Sequence, residues 1–263
     1  MSFKRLDPED FLVSADSITA GAWTGNSATL TDFHQNASQV ASDSGKYYIS
    51  VYDSSVVATQ EVQFNIAYGD SNGSGSADYD ANIDGRSPSA TVYGQFQNIV
   101  LGDENSDFIF GDYTSSRFYA VTLDRARFKG SLLPGTMTLK LTSGSKAQNP
   151  IFLTDNSKEV TSVTFNEAGR VFQLVSGAAG VVNTTKNDNG YVNNSGSYGF
   201  FLPDIGTILL NPYALDAAVA DGGLNLLTSN AQTDKINTDA FFTAISGGAS
   251  FLANSQENLT SDF

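Results

Sequence analysis

The chain has 263 residues, with 14 Lys and Arg against 28 Asp and Glu, and a formal net charge of −14. This length supports one large or two modest domains with a core of their own, and the negative charge argues against nucleic-acid binding, because duplex affinity depends on cations that contact phosphates. The absence of cysteine excludes disulfides, thiolate metal sites and a cysteine nucleophile.

Charged residues make up only 16% of the chain, against about 25% in typical globular domains. Serine, threonine, asparagine and glycine take their place, a composition typical of β-rich, turn-rich proteins of particle surfaces or of the extracellular environment. The N-terminus lacks the apolar region of a signal peptide, and no apolar run approaches the roughly 18 residues of a membrane span. We therefore expect neither nucleic acid nor a membrane among the partners.

Residues 1–44 are predicted to form an irregular N-terminal docking arm. Single apolar residues, among them Trp23, Leu30 and Phe33, interrupt a polar sequence. Such isolated apolar side chains need a surface to cover them. We expect Trp23 and Phe33 to contact a neighbouring subunit.

Residues 45–200 are predicted to form a β-rich core domain. Segments 46–52 and 61–68 have the pattern of strands, and the second alternates apolar and polar residues as a half-buried strand does. Residues 89–100 repeat apolar side chains at helical spacing and are predicted to form a helix. The polar segment 70–85 has too few apolar residues to pack and is predicted to be a loop.

Residues 117–175 are again predicted to form strands, and they contain a concentration of positive charge. Arg125, Arg127 and Lys129 occupy every second position. In a strand these three side chains would share one face, so the pattern predicts a cationic stripe. The stripe either pairs with acids of the same chain or contacts an acidic patch on a copy of this protein or on a neighbour.

Residues 201–263 are predicted to form a mixed C-terminal segment, and the sequence leaves open whether it continues in a longer protein. Short helices are expected over 213–220 and 240–246, each followed by a glycine pair. The predicted fold class is therefore α+β and β-rich, with antiparallel sheets, a few short helices and long polar loops, including one over 183–199.

The oxygen-bearing residues Asp78, Asp80, Asn82 and Asp84 alternate in the first polar loop. Oxygen ligands at this spacing can surround Ca²⁺, but the glycine and glutamate of an EF-hand loop are missing. The pattern favours a solvated acidic loop, so the chain is expected to need no cofactor and no metal.

Catalytic chemistry finds little support in the sequence. His34 is the only histidine, and no nucleophile motif or phosphate-binding glycine loop occurs. A pair of carboxylates could cleave glycosides, but no pair stands out among 28 acidic residues. The chain is therefore predicted not to be an enzyme.

Five phrases of the sequence resemble large virion structural proteins of contractile-tailed, T4-like phages that infect cyanobacteria. The likeness lies in the order of the phrases, which are FKRLDPEDFLVSADSITAGAWTGN, TVYGQFQNIVLGD, FYAVTLDRARFKGSLLPGTMTLKL, GRVFQLVSGAAGVV and SGSYGFFLPDIGTILLNPYALD. The resemblance implies a virion protein of the tail, at the baseplate or its periphery, assembled in the host cytoplasm. It implies copies of the chain itself and other tail proteins as partners.

Two other functions remain open from the sequence. One is a carbohydrate-binding or receptor-binding module of a tail fibre or particle surface, with tyrosines and asparagines to contact sugars. The other is a glycan-degrading tail enzyme that uses two carboxylates. Saturable glycan binding would favour the first, and turnover of a polysaccharide would favour the second.

Overall fold

A computed structural model describes residues 21–42, 44–73, 88–142, 150–183, 198–219, 222–226, 234–247 and 251–253. It confirms the predicted β-rich class, because most of its regular structure belongs to one large antiparallel sheet. The predicted loop over 70–85 and the loop over 183–199 fall mainly outside the described residues.

The sheet and a separate hairpin contain every strand of the described residues. The strands are β1 (Thr29–Leu30), β2 (His34–Gln35), β3 (Ile49–Tyr52), β4 (Val62–Asp70), β5 (Phe108–Phe110), β6 (Tyr113–Ser115), β7 (Arg117–Leu123), β8 (Thr138–Leu141), β9 (Ile151–Asp155), β10 (Thr164–Asn166), β11 (Gly169–Ala178), β12 (Val181–Val182), β13 (Gly199–Leu202), β14 (Thr207–Leu210) and β15 (Phe251–Leu252). The helices are α1 (Ala37–Ala41), α2 (Ser89–Phe96), α3 (Pro212–Asp216) and α4 (Asp234–Ser246).

Hydrogen bonding orders the sheet as β1-β15-β8-β9-β11-β13-β14-β7-β4-β3-β2, while β10 and β12 pair with β11. The two ends of this path, β1 and β2, follow each other along the chain. Leu30 and His34 are four residues apart, so they lie within about 14 Å of each other. The sheet therefore curls until its two edges meet at residues 21–35, which we call the N-terminal strap.

The inside of the curled sheet holds the larger core. Phe64 on β4 and Phe251 on β15 contact each other, with ring centroids 6.0 Å apart, although six strands separate them along the path. Trp23 of the strap lies against both rings, 6.1 Å from Phe64 and 4.9 Å from Phe251. Its Nε1 donates to the Phe251 carbonyl oxygen at 2.8 Å, which satisfies the one polar group of a buried indole.

A second core lies on the outer face, beneath α2 and the β5–β6 hairpin. Along β7, Tyr119 and Val121 point into the curled sheet, whereas Phe118 and Ala120 point outward to the second core. Strands β13 and β14 divide their side chains in the same way. The middle of the sheet is thus buried on both faces, so its strands have continuous apolar sequences rather than alternating ones.

Helices α3 and α4 pack against the inner face of the sheet through aromatic contacts. Tyr119 stacks on Phe241 of α4, with ring centroids 4.8 Å apart. The Arg117 guanidinium lies 4.4 Å from the ring centroid of Tyr213 on α3. Burial raises the pKa of Tyr119 well above its ordinary value, and the nearby Asp216 carboxylate raises it further, so this hydroxyl stays neutral.

Several predicted elements are confirmed, with shifted boundaries. Strands β3 and β4 and helix α2 occur where the periodicity placed them, and α2 continues into a π-helical turn at Gln97–Leu101. The predicted strand over residues 125–129 is wrong, because Arg125–Arg127 form a 3₁₀ turn. The Asp124 side chain accepts a hydrogen bond from the Ala126 amide at 2.9 Å, and this capping bond ends β7.

Strands from all three segments of the predicted domain division share this one sheet. The strap supplies β1 and β2, and the C-terminal segment supplies β14 and β15. The predicted boundary between residues 200 and 201 falls inside β13.

Replacing Trp23 with alanine should destabilise the fold by about 3–5 kcal/mol, because it opens a cavity between Phe64 and Phe251 and removes the indole hydrogen bond. Urea unfolding followed by far-ultraviolet circular dichroism measures the change. The matched control is Tyr113→Ala, which truncates a partly exposed aromatic residue. It should lower the free energy of unfolding much less than Trp23→Ala does. Equal losses for the two variants would contradict the central role of Trp23.

Candidate interaction surface

The positively charged turn predicted as a docking stripe lies directly after β7. Arg125, Arg127 and Lys129 do not share a face there, because the 3₁₀ turn directs them differently. Phe128 between them is buried and packs against Gly206, whose φ of +63° and missing Cβ leave room for the ring.

Arg125 is bound within the turn itself. Its guanidinium donates to the carbonyl oxygens of Phe128 and Lys129 and lies 4.6 Å from the centroid of the Phe128 ring. A cation over an aromatic face is favourable. Arg125 therefore fixes the exit of the turn.

Arg127 joins three distant parts of the chain. It forms an ion pair with Glu61 at 2.9 Å and donates to the Thr24 hydroxyl at 2.7 Å. Gln63, which is fully buried, donates to the same hydroxyl at 2.6 Å and accepts from the Thr24 amide at 3.1 Å. We call Thr24, Glu61, Gln63 and Arg127 the Arg127 cluster; it fastens the strap to β4 and the basic turn.

Lys129 is the member of the predicted stripe that is still available for a partner. It is exposed and makes no ion pair with the residues that the structure describes. The sequence left open whether the stripe pairs within the chain or with a neighbour. For Arg127 the structure shows pairing within the chain, whereas contact of Lys129 with a neighbour stays a prediction.

The two aromatic residues predicted to contact a neighbouring subunit are buried in this chain's own core. Trp23 is 2% exposed and Phe33 is 9% exposed, and the Phe33 and Phe64 ring centroids are 6.1 Å apart. Neither side chain is therefore offered to a neighbour in this fold. The sequence showed that both needed a covering surface but not that the same chain provides it.

A second ion pair fastens the start of β11 to the turn between β13 and β14. The Arg170 guanidinium contacts Asp204 at 2.5 Å and donates to the Ser131 hydroxyl at 3.0 Å. Burial of Asp204 alone would raise the pKa of its carboxyl, but hydrogen bonds from the side chain and amide of Arg170, and its charge, hold that pKa below the ordinary value. This pair is structural, like the Arg127 cluster.

Metal-ligating side chains do not cluster within the described ranges. No group of three or more His, Asp or Glu side chains there could hold a metal ion, and His34 lies in the edge strand β2. The calcium candidates Asp78, Asp80, Asn82 and Asp84 lie outside the described residues. No described helix is long and apolar enough to cross a membrane.

Comparisons with family models, with curated proteins and with solved structures give no match to this chain.

One feature that the sequence analysis missed is the tip of the β3–β4 hairpin. Val56 and Val57 are 56% and 72% exposed, in a segment where every other residue from Ser54 to Gln60 is small or polar. An adjacent pair of valines in an otherwise polar loop was the available signal. The base of this hairpin is Glu61, which Arg127 holds.

Replacing Arg127 with alanine should destabilise the fold by about 1–2 kcal/mol, because Thr24 and Glu61 lose a charged partner that is mostly buried. Lys129→Ala is the matched control and should stay within about 0.5 kcal/mol of wild type. Urea unfolding of both variants measures the difference. A loss at Lys129 as large as that at Arg127 would contradict these roles.

The Arg170–Asp204 pair should make stability depend on pH below about 4. A carboxyl whose pKa is lowered by folding stabilises the fold above its unfolded pKa of about 3.9 and loses that contribution as the pH falls through the folded value. The difference in unfolding free energy between wild type and Asp204→Asn should therefore shrink on acidification. Asp112→Asn, at an exposed carboxylate, is the control. If the difference in unfolding free energy between wild type and Asp204→Asn stays unchanged down to pH 2, the assignment is wrong.

Proposed function

We propose that the chain is a structural protein of a bacteriophage virion that assembles in the contractile tail, at the baseplate or its periphery. The observation that carries the proposal is the likeness of five phrases, in order along the chain, to tail proteins of T4-like cyanophages. Copies of the chain and other tail proteins are its proposed partners, and the host cytoplasm is the proposed place of assembly.

The phrases that carry the likeness coincide with elements that build the scaffold. They include the first part of the strap, α2 with its π-helical turn, β7 to β8, β11 to β12, and β13 to α3. They exclude the β3–β4 hairpin tip. Surfaces outside these phrases, among them the hairpin tip, are proposed to determine the position in the particle.

A scaffold of this kind works through geometry. The closed sheet holds its hairpins at fixed separations, and polar surfaces make the broad, hydrogen-bonded contacts typical of symmetric assemblies. Exposed apolar residues on well-ordered hairpins are suited to contacts between subunits. Val57 and Phe165, each exposed by more than two thirds, lie on two such hairpins.

The proposal predicts that the chain is part of purified phage particles. Peptides of this chain should appear in the mass spectrum of particles purified through a density gradient, and immunogold label should cluster at the tail tip. Label along fibres, together with saturable glycan binding, would favour the receptor-binding alternative. Absence from the mass spectrum would overturn the virion assignment, and turnover of a polysaccharide by the isolated chain would overturn the non-enzymatic one.

A further inference from the structure

Two turns of the chain have the same hydrogen bonds and differ in the residue that follows an asparagine. One turn is formed by residues 70–73, at the end of β4, and the other by residues 103–106, between the π-helical turn and β5. In each turn the side chain of the first aspartate accepts from the asparagine amide at 2.9 Å. The carbonyl oxygen of that aspartate accepts from the amide of the last residue, at 3.0 Å in the first turn and 3.3 Å in the second. The asparagines, Asn72 and Asn105, are both exposed.

We propose that Asn72 is a site of spontaneous deamidation, a covalent modification of the chain that uses only water. The main-chain nitrogen of Gly73 loses its proton and attacks Cγ of Asn72, and the side-chain nitrogen leaves as ammonia. The product is a five-membered succinimide ring. One water molecule then opens the ring at either carbonyl and leaves aspartate or isoaspartate at position 72. In isoaspartate the main chain passes through the former side chain and is one methylene longer.

The residue after Asn72 favours this attack. Glycine has no Cβ, so no side chain crowds the main-chain nitrogen as it approaches Cγ. A Cβ on residue 73 would lie 1.9 Å from the hydroxyl oxygen of Ser89, a residue that is only 1% exposed. A larger residue would displace this buried serine, so the packing favours an Asn–Gly pair at this turn.

The side chain of Asn72 is not held by other groups. It makes no hydrogen bond to the residues that the structure describes. In the second turn, by contrast, the Asn105 side chain donates to Asp103 Oδ1 at 3.2 Å and the Ser106 hydroxyl donates to Asp103 Oδ2 at 2.8 Å. The bond from the last amide to the aspartate carbonyl oxygen is present in both turns, so it does not distinguish them. Attack on Asn72 should therefore be the faster reaction.

The modification acts on the contact between this turn and α2. Gly73 lies against Ser89, the first residue of α2, and α2 covers the second core. The other end of the turn is fixed, because the Ser71 amide donates to the Ser116 carbonyl oxygen at 2.9 Å. An extra methylene before Gly73 therefore moves this residue away from Ser89. Isoaspartate at position 72 should loosen the first turn of α2.

Peptide mapping of the full chain by mass spectrometry, after incubation at neutral and at mildly alkaline pH, tests the proposal. Wild type is compared with Ser106→Gly, which places a glycine after Asn105, and circular dichroism shows whether the variant keeps the fold. A protein isoaspartyl methyltransferase detects isoaspartate, which direct hydrolysis of the side-chain amide does not produce. Asn189 also precedes a glycine, lies outside the described residues and is mapped separately.

In wild type, Asn72 should deamidate at least about tenfold faster than Asn105. The reaction should yield isoaspartate and should accelerate as the pH rises, because the attacking nitrogen must lose its proton. In Ser106→Gly, Asn105 should deamidate faster than it does in wild type. Hydrogen exchange in α2 should be faster in the isoaspartate form than in Asn72→Asp, which adds the same charge without lengthening the main chain.

Three results would overturn the proposal. The first is equal deamidation of Asn72 and Asn105 in wild type, the second is deamidation of Asn72 without isoaspartate, and the third is an unchanged rate at Asn105 in Ser106→Gly. Equal exchange of α2 in the isoaspartate form and in Asn72→Asp would overturn the effect on the helix. The inference does not rest on the virion assignment, because it concerns the isolated chain, and either can fail alone.

Discussion

The fold depends on the N-terminal strap, which closes the curled sheet. A sheet of this length has two edges with unpaired backbone groups and one concave face to fill. The strap pairs with both edges through β1 and β2, and it places Trp23 between Phe64 and Phe251. The same fifteen residues therefore supply both the hydrogen bonds at the sheet edges and the packing in the core.

Three arginines of this acidic chain fasten distant segments together. Arg127 holds the strap against β4, and Arg170 holds β11 against the turn after β13. Arg117 covers Tyr213 where α3 packs on β7. Each guanidinium joins parts of the chain that are distant in sequence.

The sequence predicted elements whose signal is local. The alternation in β4 and the helical spacing in α2 were sufficient to place both. It did not predict β13 and β14, because burial on both faces removes the alternation. It misplaced Arg125 and Arg127, since one capping bond from Asp124 overrides the period-two pattern. The burial of Trp23 depends on its contact with β15, more than 200 residues later in the chain, and no local sequence pattern predicts that contact.

Hydrogen exchange on a chain that begins at residue 36 tests the central claim most directly. The account predicts that amide protection falls at both edges of the sheet, in β3–β4 and in β8–β15, because the strap pairs with one strand of each set and fills the core between them. Wild-type protection in both sets, or its loss at one edge only, would contradict the account and show that the sheet closes without the strap.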